Sequence, residues 1–307
     1  MTIQKWLLLL YPRVWRTRYE EEFLVTLSSH PFSLPEGMDI LLGALDAHLH
    51  PSLGTTALPL PEKMKHLLST IRCSLVTLFC TYSSFILAGL AFQKMTEERV
   101  FQQAGQGVNL VGISFQFVIF GAIVALLAVL VGGLPIAIAT IRSALVRKRY
   151  GPLFLLAVPI LAFLVFLRIT LFLEAINRPG TQPIWQFFLH RGVFFGTLLA
   201  AAIASPSAIC FAVIRSEIPE KLLRFALFPF ALGTLSMALV LAAIIVWGLG
   251  LREVAPQLFA GNDGIVSTST AGTWLIIVIM MAIATGLATL SLLRGFSARS
   301  VLRSASA

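Results

Sequence analysis

One charged residue, Arg168, lies within a long apolar stretch of this sequence. An arginine inside a membrane can hold an anionic substrate or pair with an acidic side chain, so Arg168 is a candidate intramembrane charge. It also lies about six residues, or ~9 Å along a helix, from the end of its stretch, where its guanidinium can reach the headgroups near Glu174. This position favours an interfacial anchor, and the anion site stays as the alternative.

The remaining polar residues do not form a recognisable catalytic motif. The sequence has no Gly-rich phosphate loop, no GxSxG and no HExxH, so we expect neither an enzyme nor a cofactor. Asp46 and His50 have the spacing of a metal-binding pair on a helix, but no third ligand is placed beside them, and we expect no metal site. Ser205 and Ser207 could line a polar path or bond back to their own helix, and the second interpretation is favoured.

Composition assigns the chain to the membrane. Hydrophobic residues make up 57% of the 307 positions and charged residues 12%, about half the charged share of soluble domains. The 23 Lys and Arg residues outnumber 14 Asp and Glu, and they flank apolar runs. This pattern indicates an anionic lipid surface, and not nucleic acid, as the partner. Cys73, Cys80 and Cys210 lack metal-ligand spacing and are interpreted as small packing residues.

Six apolar stretches are each long enough to cross a bilayer, because ~20 helical residues span its ~30 Å hydrocarbon core. The expected fold class is therefore all-α, a polytopic membrane protein with six transmembrane helices. A small cytosolic helical module with a Pro/Gly/Thr linker occupies residues 1–60, the transmembrane domain residues 61–293, and a basic cytosolic tail residues 294–307. The predicted spans are residues 73–93, 108–130, 152–173, 192–214, 225–250 and 271–293.

Connections between the spans carry three further expectations. The apolar run 108–141 exceeds one span, and Gly132, Gly133 and Pro135 predict a break there with an interfacial extension beyond it. Residues 94–107 are predicted to be a polar loop. Residues 217–222 are predicted to form a small separate helix if the chain is a transporter subunit.

The distribution of basic residues predicts the orientation. With both termini in the cytosol, 17 of the 23 Lys and Arg residues fall on the cytosolic side and 5 on the opposite side, with Arg168 inside a span. Such a bias is the positive-inside signal of multi-pass membrane proteins. We therefore expect both ends in the cytosol.

The N-terminal module carries an aromatic stripe on its first helix. Tyr11, Trp15, Tyr19 and Phe23 recur every four residues and so share one helix face. Arg13, Arg16 and Arg18 flank this face. A second amphipathic helix follows, with Met38, Leu41, Leu45 and Leu49 as its expected core. Because these four side chains already supply a core, we expect the aromatic stripe to be exposed and to dock a protein partner or the lipid surface. Packing of the stripe inside the module stays as a further alternative.

The same region resembles a known family. LYPRVWRTRYEEEF, followed by GMDILLGALDAHLHP, resembles the N-terminal header of an uncharacterised family of bacterial multi-pass membrane proteins, over about 50 residues. That header has the form Tyr-Pro-x-x-Trp-Arg-x-Arg-Tyr-Gly-Glu-Glu, and Glu20 stands at its glycine position. The resemblance implies a multi-pass protein of the bacterial plasma membrane and no particular activity.

These observations favour a sensory or regulatory membrane protein whose N-terminal module docks a cytosolic protein. The alternative, from a different class, is the permease subunit of an ATP-driven exporter, with an ATPase subunit as its partner. Six spans, a basic connection between spans 2 and 3, and an amphipathic N-terminal helix are consistent with both.

Overall fold

The structure is a computed structural model that describes most of the chain. The described residues are 8, 10, 11, 13–28, 37, 39, 40, 43, 44, 46, 47, 59–97, 99–105, 110–148, 150–176, 184–216, 218–261 and 269–305. Within these helices, the side chains of residues 13, 14, 18, 26–28, 99, 102, 174, 176, 184–191 and 305 are outside the description. The fold is all-α, and the described residues include no strand.

Helices account for nearly all of the described chain. Their bounds are α1 Arg13–Ser28, α2 Leu60–Thr96, α3 Arg99–Ala104, α4 Leu110–Val146, α5 Gly151–Ile176, α6 Ile184–Arg215, α7 Glu220–Val254, α8 Pro256–Ala260 and α9 Thr270–Ala305. The described residues between 37 and 47 are also helical.

Six of these helices are long and apolar enough to cross a membrane, namely α2, α4, α5, α6, α7 and α9. They coincide with the six predicted spans, so the predicted fold class is confirmed. Several helices are longer than the apolar stretch of sequence from which each span was predicted. Helix α2, for example, has 37 residues, or ~55 Å of helix. The protein is therefore an integral membrane protein built from helices that project beyond the bilayer core.

The predicted break in span 2 is wrong. Helix α4 runs without interruption from Leu110 to Val146, with Pro135 inside it. Proline and glycine are tolerated in membrane helices because neighbouring helices and local adjustments satisfy the backbone. Gly132 has a packing role instead: a Cβ added there would lie 3.1 Å from Cδ2 of Phe230 in α7.

Two predicted connections also differ from the structure. Residues 94–107 contain the short helix α3, and its Phe101 is buried, with its ring centroid 6.2 Å from that of Trp247. Residues 220–222 form the first turn of α7 and no separate helix, while Ile218 and Pro219 precede that turn outside any helix. Residue 217 lies outside the described part of the chain.

Residues 76–288 form one of two compact units. Within it, α4 packs along α7 and α5 packs against α6. The hydroxyl of Ser236 in α7 donates a 2.6 Å hydrogen bond to the carbonyl of Gly121 in α4. Trp247 is buried with its ring 5.0 Å from that of Phe92 in an edge-on arrangement. Small residues at the α4–α7 contact let the two backbones approach, as is typical of helices packed in lipid.

The second unit contains residues 1–75 together with 289–307. Its N-terminal module has a core of its own made of Leu8, Tyr11, Ile40, Ala44 and Ala47. The expected core residues Met38, Leu41, Leu45 and Leu49 lie outside the described residues. The neighbouring positions Ile40, Ala44 and Ala47 were not predicted as core.

Candidate functional site

The aromatic side chains of the N-terminal module contact one another, as their four-residue spacing predicts. The rings of Tyr11 and Trp15 stack with centroids 4.1 Å apart, and those of Trp15 and Tyr19 are 5.3 Å apart. Phe23 meets Trp15 edge-on at 5.4 Å. Aromatic pairs at such distances and angles stabilise each other beyond the apolar area that they bury.

This cluster faces the module's own core. Tyr11 is only 6% exposed, and Trp15 and Phe23 are half-buried against the residues around Ile40 and Ala44. Tyr19 is half-buried as well. The expectation that the whole stripe is exposed is therefore wrong for Tyr11. The alanines at 44 and 47 are small, which leaves room for large aromatic rings in this core.

The hydroxyl of Tyr11 fits tightly against Gly43. A Cβ added to Gly43 would lie 2.6 Å from the Tyr11 hydroxyl oxygen, closer than van der Waals contact allows. Burial raises the pKa of the Tyr11 phenol, because the charged phenolate is poorly solvated there. Gly43 thus has a packing role, because only a residue without a Cβ fits beside the Tyr11 hydroxyl.

The basic residues of the candidate site are only partly described. Arg16 is half-buried, and its Nε atom is buried with no hydrogen-bond partner among the described residues. The side chains of Arg13 and Arg18 lie outside the description. Asp46 is exposed, and His50, the other half of the possible metal pair, lies outside the described residues. Among the described residues no group of three or more His, Cys, Asp or Glu side chains converges on a common point.

The opposite face of α1 is exposed and acidic. Thr17, Glu21 and Val25 recur every four residues on this face, which we call the outer face, and Val25 is 70% exposed. Glu20 and Glu22 beside them are also exposed. The aromatic pattern does not predict this surface, whose signal in the sequence is the run of three glutamates from Glu20 to Glu22.

Arg168 lies on the surface of α5. Its side chain is exposed, as are the neighbouring Val165, Leu167 and Leu171. In its most apolar window, α5 has no fully buried residue. Arg168 is therefore not enclosed between the helices that the structure describes, and the side chain of Glu174, its expected neighbour, is outside the description.

Polar groups within the spans are mostly satisfied by their own helices. Ser207 donates a 2.7 Å hydrogen bond to the carbonyl of Ile203, the interpretation that was favoured for it. Across helices, the indole nitrogen of Trp274 donates to the carbonyl of Ile244 at 2.9 Å. Cys80 in α2 and Cys210 in α6 place their sulfur atoms 3.3 Å apart, a pairing that nothing in the sequence indicated.

The chain has no significant match among protein families, curated proteins or solved structures. Function is therefore inferred from the geometry of the module and of the spans.

Proposed function

We propose that this chain is a sensory or regulatory protein of the bacterial plasma membrane whose N-terminal module docks a cytosolic protein. It is proposed to act through binding and not as an enzyme, with no cofactor and no nucleic acid. The observation that carries the proposal is the two-sided character of α1. One side is held by aromatic packing in the module's core, and the other presents the outer face of Thr17, Glu21 and Val25.

The charge of the outer face supports a protein partner over the lipid surface. Anionic headgroups attract Lys and Arg and repel carboxylates, and Glu20 and Glu21 are both exposed. The aromatic rings that would insert into lipid are instead buried or half-buried against Ile40 and Ala44. An acidic face with the exposed apolar side chain of Val25 is complementary to a basic, partly apolar protein surface.

The test is site-specific photo-crosslinking in the full-length protein in its own membrane. A photoreactive residue in place of Val25 should give a discrete crosslinked product with a soluble protein. Glu21→Lys in the same background should abolish that product, because it reverses the charge at the centre of the outer face.

Glu253→Lys is the matched control, since Glu253 is an exposed carboxylate near the end of α7, on the opposite side of the membrane in the proposed orientation. It should leave the crosslinked product unchanged. Crosslinks to lipid alone, or equal loss in both variants, would contradict docking by the outer face.

The alternative, a permease subunit of an ATP-driven exporter, receives less support. A separate short helix was expected over residues 217–222 for contact with an ATPase, but residues 220–222 belong to the first turn of α7. The connection between α4 and α5 is also short, with Val146 and Gly151 as the flanking helix ends. Capture of an ATPase by the Val25 crosslinker would revive this alternative.

The proposed orientation has its own test by reporter fusion. Fusions on the non-cytosolic side are expected after Gly107, Gly180 and Asp263, and fusions on the cytosolic side after Gly151, Glu220 and Ser304. A fusion at Gly151 that reports the outside would reverse the assignment of every later connection.

A further inference from the structure

A groove of about 590 Å³ lies between the C-terminal part of α4 and the start of α7. Its volume is within the range of ~300–1,000 Å³ that holds small-molecule ligands. All of its lining residues belong to the unit of residues 76–288. Because α4 ends and α7 begins here, the groove lies on the side of the membrane that the basic residues assign to the cytosol.

The two ends of the groove differ in chemistry. Leu134 and Ile138 of α4 line the end nearer the bilayer centre, and both side chains are more than half exposed. Arg142, Ser143 and Arg147 line the other end. Leu134 and Arg147 are thirteen residues apart on the chain, ~20 Å along a helix, a little more than half of the ~30 Å hydrocarbon core. The groove therefore follows one leaflet from its acyl chains to its headgroups.

Charge at the polar end is positive. Arg142 and Arg147 are exposed, and Ser143 between them is half-buried with a hydroxyl that can donate. Glu220, in the first turn of α7, forms an ion pair with Arg224. Arginine binds phosphate through paired N–H donors, and basic pockets on the cytosolic side of membrane helices hold anionic headgroups.

We propose that this groove binds one anionic glycerophospholipid from the cytosolic leaflet. Its phosphate accepts hydrogen bonds from Arg142 and Arg147, and an acyl chain lies along Leu134 and Ile138. The site is independent of the docking surface on α1 and depends on the proposed orientation only for the choice of leaflet.

Native mass spectrometry of the full-length protein in detergent tests this assignment, with phosphatidylglycerol and phosphatidylcholine as probes. One phosphatidylglycerol should remain bound at concentrations where phosphatidylcholine does not. Arg142→Ala with Arg147→Ala should weaken that binding about a hundredfold, since each charge-assisted hydrogen bond lost corresponds to about a factor of ten.

The matched control is Arg299→Ala with Arg303→Ala, which removes the same charge from the end of α9. It should retain the bound lipid. Ala139→Trp fills the apolar part of the groove and leaves both arginines intact. This variant should also fail to retain phosphatidylglycerol. It tests the proposal independently if the double arginine variant does not fold.

Three results would overturn the proposal. Equal retention of both lipids would show that the headgroup is not recognised. Equal weakening by the two double arginine variants would show general attraction by a basic protein. Displacement by millimolar inorganic phosphate, with Ala139→Trp still binding, would identify a site for a free anion.

Discussion

The sulfur atoms of Cys80 and Cys210 lie 3.3 Å apart, although 130 positions separate these residues in the sequence. Cys80 belongs to α2 and Cys210 to α6, so the pair fixes the first and fourth spans as neighbours at this depth. Both cysteines are reduced in the structure. The sequence pattern assigned them a packing role only, because their spacing along the chain carries no signal.

This proximity predicts that the two thiols can be joined. A disulfide needs its sulfur atoms at ~2.05 Å, a short movement from the observed separation. In Cys73→Ala protein, mild oxidation with copper–phenanthroline should form an intramolecular bond and protect both thiols from alkylation by a maleimide mass tag. Cys80→Ser should leave Cys210 open to the tag under the same conditions. Full alkylation of both thiols after oxidation would show that α2 and α6 are not neighbours there.

A second prediction concerns the contact between α7 and α9. A Cβ added to Gly248 would overlap the indole ring of Trp274, a rigid side chain held by its hydrogen bond to Ile244. Gly248→Ala should therefore lower the free energy of unfolding by about 1–3 kcal/mol, the usual cost of overpacking a core. Unfolding in mixed micelles by added sodium dodecyl sulfate measures this change.

The control is Gly286→Ala in α9, where an added Cβ meets no atom within 4 Å. It should be neutral or slightly stabilising, because alanine has the higher helix propensity. An equal loss of stability in both variants would contradict the packing role of Gly248.

These contacts mark the limit of what the sequence predicts. The number and order of the spans follow from apolar length, and Leu110–Val146 was found as a span even though its predicted break at Pro135 is wrong. Which spans are neighbours does not follow, because lipid accepts apolar side chains on every face of a helix. The hydrogen bond from Ser236 to Gly121 joins two helices whose patterns give no preferred side.

In the N-terminal module, the four-residue period correctly predicted which aromatic side chains contact one another. The predicted exposure of the stripe was wrong for Tyr11. Tyr11 and Trp15 form the predicted stripe, but the stripe faces Ile40 and Ala44. Alanines are weak signals of a core in sequence, although their small size is what admits the rings. Once the aromatic stripe is known to face the module's core, the position of the outer face on the opposite side of α1 can be predicted from the helical period.

A third prediction tests the contact between Tyr11 and Gly43. Gly43→Ala should destabilise the module by about 1–3 kcal/mol, since the added methyl would meet the Tyr11 hydroxyl oxygen at 2.6 Å. Tyr11→Phe removes that oxygen, so the double variant should recover most of the loss. Resistance of the full-length protein to limited proteolysis before residue 60 measures the module's stability. Additive losses in the double variant would contradict the contact, because independent sites add.

The burial of Tyr11 also predicts a dependence on pH. The pKa of its phenol is raised above the usual ~10, since burial disfavours the phenolate. Below about pH 10 the folded and unfolded states are both protonated, and the stability that this group contributes is fully present. Above it the unfolded state loses its proton first, so stability falls as pH rises toward the folded-state pKa.

The difference in absorbance between wild type and Tyr11→Phe reports this phenolate directly. Its titration midpoint should lie above that of free tyrosine, and the alkaline loss of module stability should be smaller in Tyr11→Phe. A midpoint at the free-tyrosine value would show that Tyr11 is accessible to water.

The last prediction concerns Arg168, which is exposed on α5 among apolar side chains that face outward. A lysine at this position can also extend its charge to the headgroups, so Arg168→Lys should change the free energy of unfolding by no more than about 0.5 kcal/mol. Arg168→Leu removes the charge and should shift the depth of α5 in the bilayer. This depth is measured with a fluorescent probe attached at position 170, whose emission is quenched by lipids labelled at known depths. A large loss of stability in Arg168→Lys alone would instead indicate a planar, paired contact that only arginine makes, and with it an anionic partner within the membrane.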